Sequence, residues 1–462
     1  MITKNSIFIL LFILLGLESL TGQVKINDYD LDYKFDFKNN RLSGVAKITI
    51  DGKDDTINLL LYRLLKVTSI TDPLGNSINF EQNVVSFEDF EELQVNAIDI
   101  YFDNIEQKNT QLIVKYAGPV LGYSETGMSY VKDHISPEFT IIRMDAFTYP
   151  VQSSPSIKDL RMSGMQYFNF KISVTVPDSL KVACLGKLIK TESRKDKKKY
   201  SFESVKPSWR MDIVIGKYKT LEKENYKVYY FPEDSIGAQN VLSAIEKTSR
   251  LYSRWFGEKD LKNFSIIEIK DGYGSQTDEC GIIQTASAFK KPEYLEGIYH
   301  EVSHLWNIPH TDQLPSRLES EGLAMFLQFL VKEKLENKNN YLDEMAQLIF
   351  LKVKKEINQN AKFAVTPIIK YGEENLTDYS YSKGMLFFYI LYHTVGEEAF
   401  FESIKGYYKT FASIGSTTTE FSEYLKNHFI DSSVNMLIDD WIFTNISTSY
   451  LLNSKNVQDL KY

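Results

Sequence analysis

The chain has 462 residues, with 53 Lys and Arg against 61 Asp and Glu, for a formal net charge of −8. That balance offers no basic face of the kind nucleic acid requires. Apolar residues at 43% and charged residues at 25% are those of an ordinary globular protein, not a disordered or fibrous one. Cys184 and Cys280 are the two cysteines, which excludes a disulfide framework. An isolated bond between them stays open, although two buried, small apolar side chains are the simpler expectation.

Met1-Ile2-Thr3-Lys4 leads into Ile7-Phe8-Ile9-Leu10-Leu11-Phe12-Ile13-Leu14-Leu15, with small residues near Thr21-Gly22. One positive charge, a short apolar core and a small-residue end make a secretory signal peptide over 1–22. Export to a periplasmic, extracellular or cell-surface location is therefore predicted. The apolar run is short for a bilayer span, and no transmembrane segment is expected in the mature chain. The remaining residues, about 440, exceed what one hydrophobic core organises. Two domains are predicted, a β domain over 23–222 and a second domain over 223–462.

Strands dominate the first. Leu31 to Phe37 alternates, Asn39-Asn40 turns, and Val45 to Ile50 alternates again. Asp72-Pro73-Leu74-Gly75-Asn76 is a further turn, and Phe168 to Val176 continues the style. Short strands at this spacing predict an antiparallel β domain. The basic run Arg194-Lys195-Asp196-Lys197-Lys198-Lys199 reads as a solvated hairpin tip.

From about 223 the pattern changes. Helical spacing over 236–255 ends at Gly257, a buried strand follows at 264–269, and 272–281 reads as a loop into a second strand at 282–286. Helices are expected near 341–358, 380–395, 398–411, 417–428 and 433–444. A small sheet followed by a helical lobe predicts an α+β domain, so the whole chain reads as β followed by α+β.

Inside that lobe stands His300-Glu301-Val302-Ser303-His304. Residues i and i+4 share one face of a helix, so both imidazoles can reach one metal ion while Glu301 flanks it as a general base. A third ligand is offered after the break at Pro309 to Pro315, where Ser316-Arg317-Leu318-Glu319 reads as a capping box. Glu321 is preferred to Glu319 because Gly322 after it would clear room beside a metal. Two His and one Glu with an open fourth position suit a catalytic zinc ion, one per chain.

With these residues in place the chain resembles the aminopeptidase N family of zinc metallopeptidases, the gluzincins. His300-Glu301-x-x-His304 is similar to the family's zinc motif, Glu321-Gly322 to its downstream Asn-Glu-Gly, and Tyr381-Ser382-Lys383-Gly384 to its Tyr-x-Lys-Gly. The resemblance implies an N-terminal antiparallel β-saddle or sandwich before a thermolysin-like, mainly helical zinc domain. It implies a peptide or protein substrate, catalysis by Glu301, oxyanion stabilisation by Tyr381, and aminopeptidase-like action.

Four departures stand out. Sixteen residues separate His304 from Glu321, where the family usually has eighteen. The family's Gly-x-Met-Glu-Asn falls on Ser275-Gln276-Thr277-Asp278-Glu279, so Asp278, with Glu279 beside it, takes the place of the glutamate that grips a substrate's amine. Gln328 stands seven residues after Glu321, where an acid often orients a histidine ligand. Residues of the family's large C-terminal helical domain have no counterpart. An endopeptidase on the same scaffold, and a non-catalytic exported binding protein with a structural zinc, remain as alternatives. The sequence is silent on oligomeric state.

Overall fold

The computed structural model describes residues 24–102, 106–123, 131–163 and 166–460; the expected signal peptide, residues 1–22, lies outside them. The chain divides after Tyr218 into two compact units. The sequence placed this boundary at 222/223, inside the strand Lys219–Lys223. That strand pairs with Tyr226–Tyr230, which pairs in turn with Phe264–Ile269. Its hydrogen bonds therefore tie it to the second unit.

Among the described residues the first unit holds three sheets, of seven, four and three strands. Arg41–Lys53 lies between Lys25–Asp36 and Glu106–Pro119, antiparallel to both. In Lys25–Asp36, Tyr29, Leu31 and Tyr33 face inwards and their neighbours face out, the alternation expected of a sheet with one dry face. One pairing departs from the antiparallel expectation: Lys25–Asp36 runs parallel to Asn169–Pro177. The basic run turns at Lys195-Asp196, with Lys195 at φ 53°, between strands Lys187–Arg194 and Lys197–Glu203. Cys184 is buried in this unit and Cys280 in the other.

The second unit carries a five-stranded sheet in the order Lys219–Lys223, Tyr226–Tyr230, Phe264–Ile269, Gly281–Thr285, Gln276–Asp278. The helix Ser235–Phe256 makes the crossover between the parallel strands Tyr226–Tyr230 and Phe264–Ile269, and stops at Gly257 with φ 104°. The stretch 272–281, expected to be loop, contains the edge strand Gln276–Asp278, antiparallel to Gly281–Thr285. Three polar residues give no apolar alternation, so only the neighbouring strand's hydrogen-bonding edge reveals it.

Helices then follow at Glu296–Ser303, Leu323–Glu336, Tyr341–Gln359, Tyr379–Val395, Glu397–Phe411, Thr418–His428, Ser432–Ile438 and Ile446–Asn453. Val302, Leu305, Leu323, Phe326, Leu327, Met385 and Leu386 belong to one buried cluster. Each such side chain contributes about 1.5–3 kcal/mol on leaving water. This packing holds the three helices that carry the site.

The expected capping box does not form. Ser316 Oγ accepts from Leu318 N at 3.2 Å, but neither Glu319 carboxylate oxygen has a hydrogen-bond partner. The chain instead enters from Arg317, in the left-handed region at φ 65°, and makes a π-helical turn over Leu318–Gly322. Such a widened turn, with a non-glycine residue at positive φ before it, is often found at functional sites.

Candidate metal centre

The helix Glu296–Ser303 passes at its end into a tighter turn, His304–Trp306, so both histidines project from its last turn. Their rings lie 4.8 Å apart, nearly perpendicular. Glu321 Oε2 stands 3.2 Å from His300 Nε2 and 3.5 Å from His304 Nε2. Among the described residues, His300, His304 and Glu321 form the one group of three His, Cys or acidic residues placed to hold a metal, with ligand atoms within 4.8 Å of one another.

The outer side of each ligand is also engaged. His300 Nδ1 meets Gln328 Oε1 at 3.0 Å, as the sequence suggested, and His304 Nδ1 meets the Asn307 amide at 2.8 Å. Both Nε2 atoms are thereby turned towards Glu321, an arrangement that fixes ring orientation in metal sites. Arg317 donates from Nη2 to Glu321 Oε1. Burial opposes ionisation of Glu321, but His304 and Arg317 outweigh it and hold the carboxyl well below its usual range.

Glu319, the rival ligand, faces elsewhere. It lies 3.9 Å from His310 Nε2, beside a small cavity lined also by Asn307, Tyr407 and Tyr408. Gly322, expected to clear room beside a metal, faces the backbone of another helix instead. A Cβ on Gly322 would come within 2.9 Å of Gly384 Cα and 3.0 Å of Ser380 O. Gly322 therefore clears room for the helix Tyr379–Val395, not for a metal.

That close approach brings Tyr381 to the site. Its ring lies parallel to His300 at 6.0 Å, and the Arg317 guanidinium is 5.7 Å from its centre. Burial, then the charge of Glu321, pushes the Tyr381 phenol upwards, which keeps it protonated and able to donate. Its neighbours are occupied elsewhere: Tyr379 accepts from Asn360 and stacks on Phe363, and Tyr389 donates to Asp343.

Lys383 of the same motif is fully buried, its Nζ without a hydrogen-bond partner and over the rings of Phe363 and Tyr371. Burial lowers its pKa from 10.5 to about 7. Between those values the unfolded chain holds a proton that the folded chain has shed, so stability rises with pH from about 7 to about 10.5. Below pH 7 the cost is complete, and the depression corresponds to roughly 4–5 kcal/mol. Lys383→Met is expected to raise the apparent melting temperature by about 5–10 °C near pH 6 and by much less near pH 10. Equal gains at both would show that the buried amine is not the cause.

The general-base candidate Glu301 is 8% exposed, and its Oε2 accepts from the Thr277 hydroxyl at 2.7 Å. Asp278 is buried, with Oδ1 accepting from Glu279 N at 2.6 Å. Glu279 is half-buried, with Oε2 3.7 Å from Lys259 Nζ. Sequence reasoning missed Thr277, Arg317 and Asn307. Asn307, three residues after His304, and Arg317, four residues before Glu321, both had a helical spacing that could have drawn notice.

Residues 280–441 match the profile of the Peptidase family M1 domain. The chain carries an M1 peptidase domain. Over 91% of its length it superposes on an M1 zinc metallopeptidase from Deinococcus radiodurans, covering 95% of that chain with a TM-score of 0.67 at 16% identity. Yeast LTA4 hydrolase in complex with bestatin gives a TM-score of 0.68 at 15% identity, over 91% of this chain and 68% of that one. At these identities the likeness establishes the fold. A leucyl aminopeptidase of Saccharolobus solfataricus is 20% identical over 448 residues, 91% of this chain. This chain spans about half (53%) of that relative's length. The M1 domain match contains His300, Glu301, His304, Glu321 and Tyr381, and begins at Cys280, just after Asp278 and Glu279.

Proposed function

We propose that the protein is an exported zinc-dependent metallopeptidase that removes N-terminal residues from peptides. The observation that carries this is the convergence of His300, His304 and Glu321 with Glu301 and Tyr381 beside them. The residues fit zinc: two imidazole nitrogens and a carboxylate oxygen converge, and both imidazoles are oriented from behind. Bound there, zinc supplies Lewis acidity, bringing the pKa of a water towards about 7 and polarising the scissile carbonyl. Glu301 takes the proton of the attacking water and returns it to the departing amine. The Tyr381 hydroxyl donates to the developing oxyanion, a contribution typically on the order of 10²–10³ in rate. Export is supported by the pattern of residues 1–22 alone; a mature N-terminus near Gln23 would be its sign.

In this reading Asp278 and Glu279 supply the carboxylates that receive a substrate's free ammonium. A second mode, internal cleavage, is favoured by one observation: Asp278 is engaged by the Glu279 N–H, and Glu279 by Lys259. One assay separates the modes, using a peptide with a free N-terminus and its acetylated twin, each with and without chelator and read by mass spectrometry. Chelator-sensitive, stepwise loss of single residues from the free peptide alone is the expected result. Internal cuts in both peptides would replace exopeptidase with endopeptidase action. Absence of chelator-sensitive cleavage across several sequences would leave a binding protein with a structural zinc.

A further inference from the structure

Thr277 is the middle residue of the edge strand Gln276–Asp278, held in register against Gly281–Thr285. Side chains alternate along a strand, so Thr277 leaves on the face opposite to Gln276 and Asp278. Its Oγ1 lies 2.9 Å from the main-chain oxygen of Glu301 and 2.7 Å from Glu301 Oε2. Among the described residues it is the one hydrogen-bond donor to that carboxylate. A hydroxyl has a single proton to give. The Glu301 carbonyl already accepts from His304 N at the helix end, and a carboxylate is the stronger acceptor, so the proton goes to Oε2.

We propose that Thr277 is a positioning residue for the general base Glu301, an inference that rests on the peptidase reading above. A glutamate reaches its target through three rotatable bonds, and a base that swings loses its aim. The β-branched threonine has few rotamers of its own, and the strand behind it is fixed to the sheet. The hydroxyl therefore anchors Oε2 and leaves Oε1 for the attacking water. The strand that the resemblance marked for substrate binding thus also serves the chemistry, through the residue just before Asp278.

The test uses Thr277→Val, which keeps shape and branching but removes the donor, and Thr277→Ser, which keeps the donor. Thr277→Val is expected to lower kcat by about 10–100-fold with KM within about twofold, and Thr277→Ser to recover kcat to within about threefold of the parent, the scale expected of a misplaced reacting group. Zinc content stays at that of the parent in both. A second readout needs no activity: melting of the chelator-treated protein in a double-mutant cycle of Thr277→Val with Glu301→Ala. Thr277→Val should lower the melting temperature more when Glu301 is present than when alanine replaces it, where the hydroxyl keeps only the main-chain oxygen of residue 301 as acceptor. An unchanged kcat in Thr277→Val, or a rise in KM alone, overturns the assignment. If the parent cleaves no peptide, the peptidase reading fails, and the metal-free cycle decides the contact by itself: coupling supports it and additivity overturns it.

Discussion

Glu301→Gln is expected to reduce kcat for peptide hydrolysis by on the order of 10²–10⁴-fold while leaving the zinc content unchanged. The amide matches the carboxylate in size and can still accept from Thr277 at Oε2's position, so the local packing survives. What it loses is the ability to take a proton from water. Glu301 is not one of the three residues whose ligand atoms converge, so the metal group is left whole. Steady-state kinetics on a fluorogenic peptide, paired with elemental analysis, would check both halves. A rate within tenfold of the parent would remove Glu301 as the base, and loss of zinc would make it a ligand.

Glu321→Ala is expected to weaken zinc retention by more than the 10–100-fold typical of losing an outer partner of a metal ligand. Its Oε2 lies close to both imidazole nitrogens, and it supplies the only anionic ligand of the three. Removing it also leaves the Arg317 guanidinium facing two histidines without the carboxylate it binds, which disfavours a second cation there. Competition with a chromogenic chelator gives the affinity. Glu319→Gln is the matched control and should keep zinc, because Glu319 lies against His310. Unchanged affinity in Glu321→Ala, with loss in Glu319→Gln, would reverse the ligand assignment.

Local pattern made much of this legible. The helix that carries His300 and His304 follows from its spacing, and the strands of the first unit follow from alternation in segments such as Lys25–Asp36. The four-residue histidine spacing is itself a statement about geometry, so the nearness of the two rings was readable before any fold was known. Tyr381 was read from its local motif, but two tyrosines nearby competed with it. Only the packing of Tyr379 on Phe363 and the bond from Tyr389 to Asp343 separates the three.

The sequence alone, then, determined the elements and the chemistry-bearing spacings, because both are set by residues within one or two turns of each other. Tertiary structure decided which distant groups meet. The pairing of Gly322 with Gly384 lets two helices approach closely and delivers Tyr381 to the metal group. The π-helical turn at Leu318–Gly322 aims Glu321 at the histidines and Glu319 away from them. Thr277 reaches Glu301 across twenty-four positions of sequence, through an edge strand whose three polar residues carry no periodic signal. Such contacts depend on backbone-to-backbone fit and on hydrogen bonds between separate elements, and neither leaves a mark on local hydrophobic pattern.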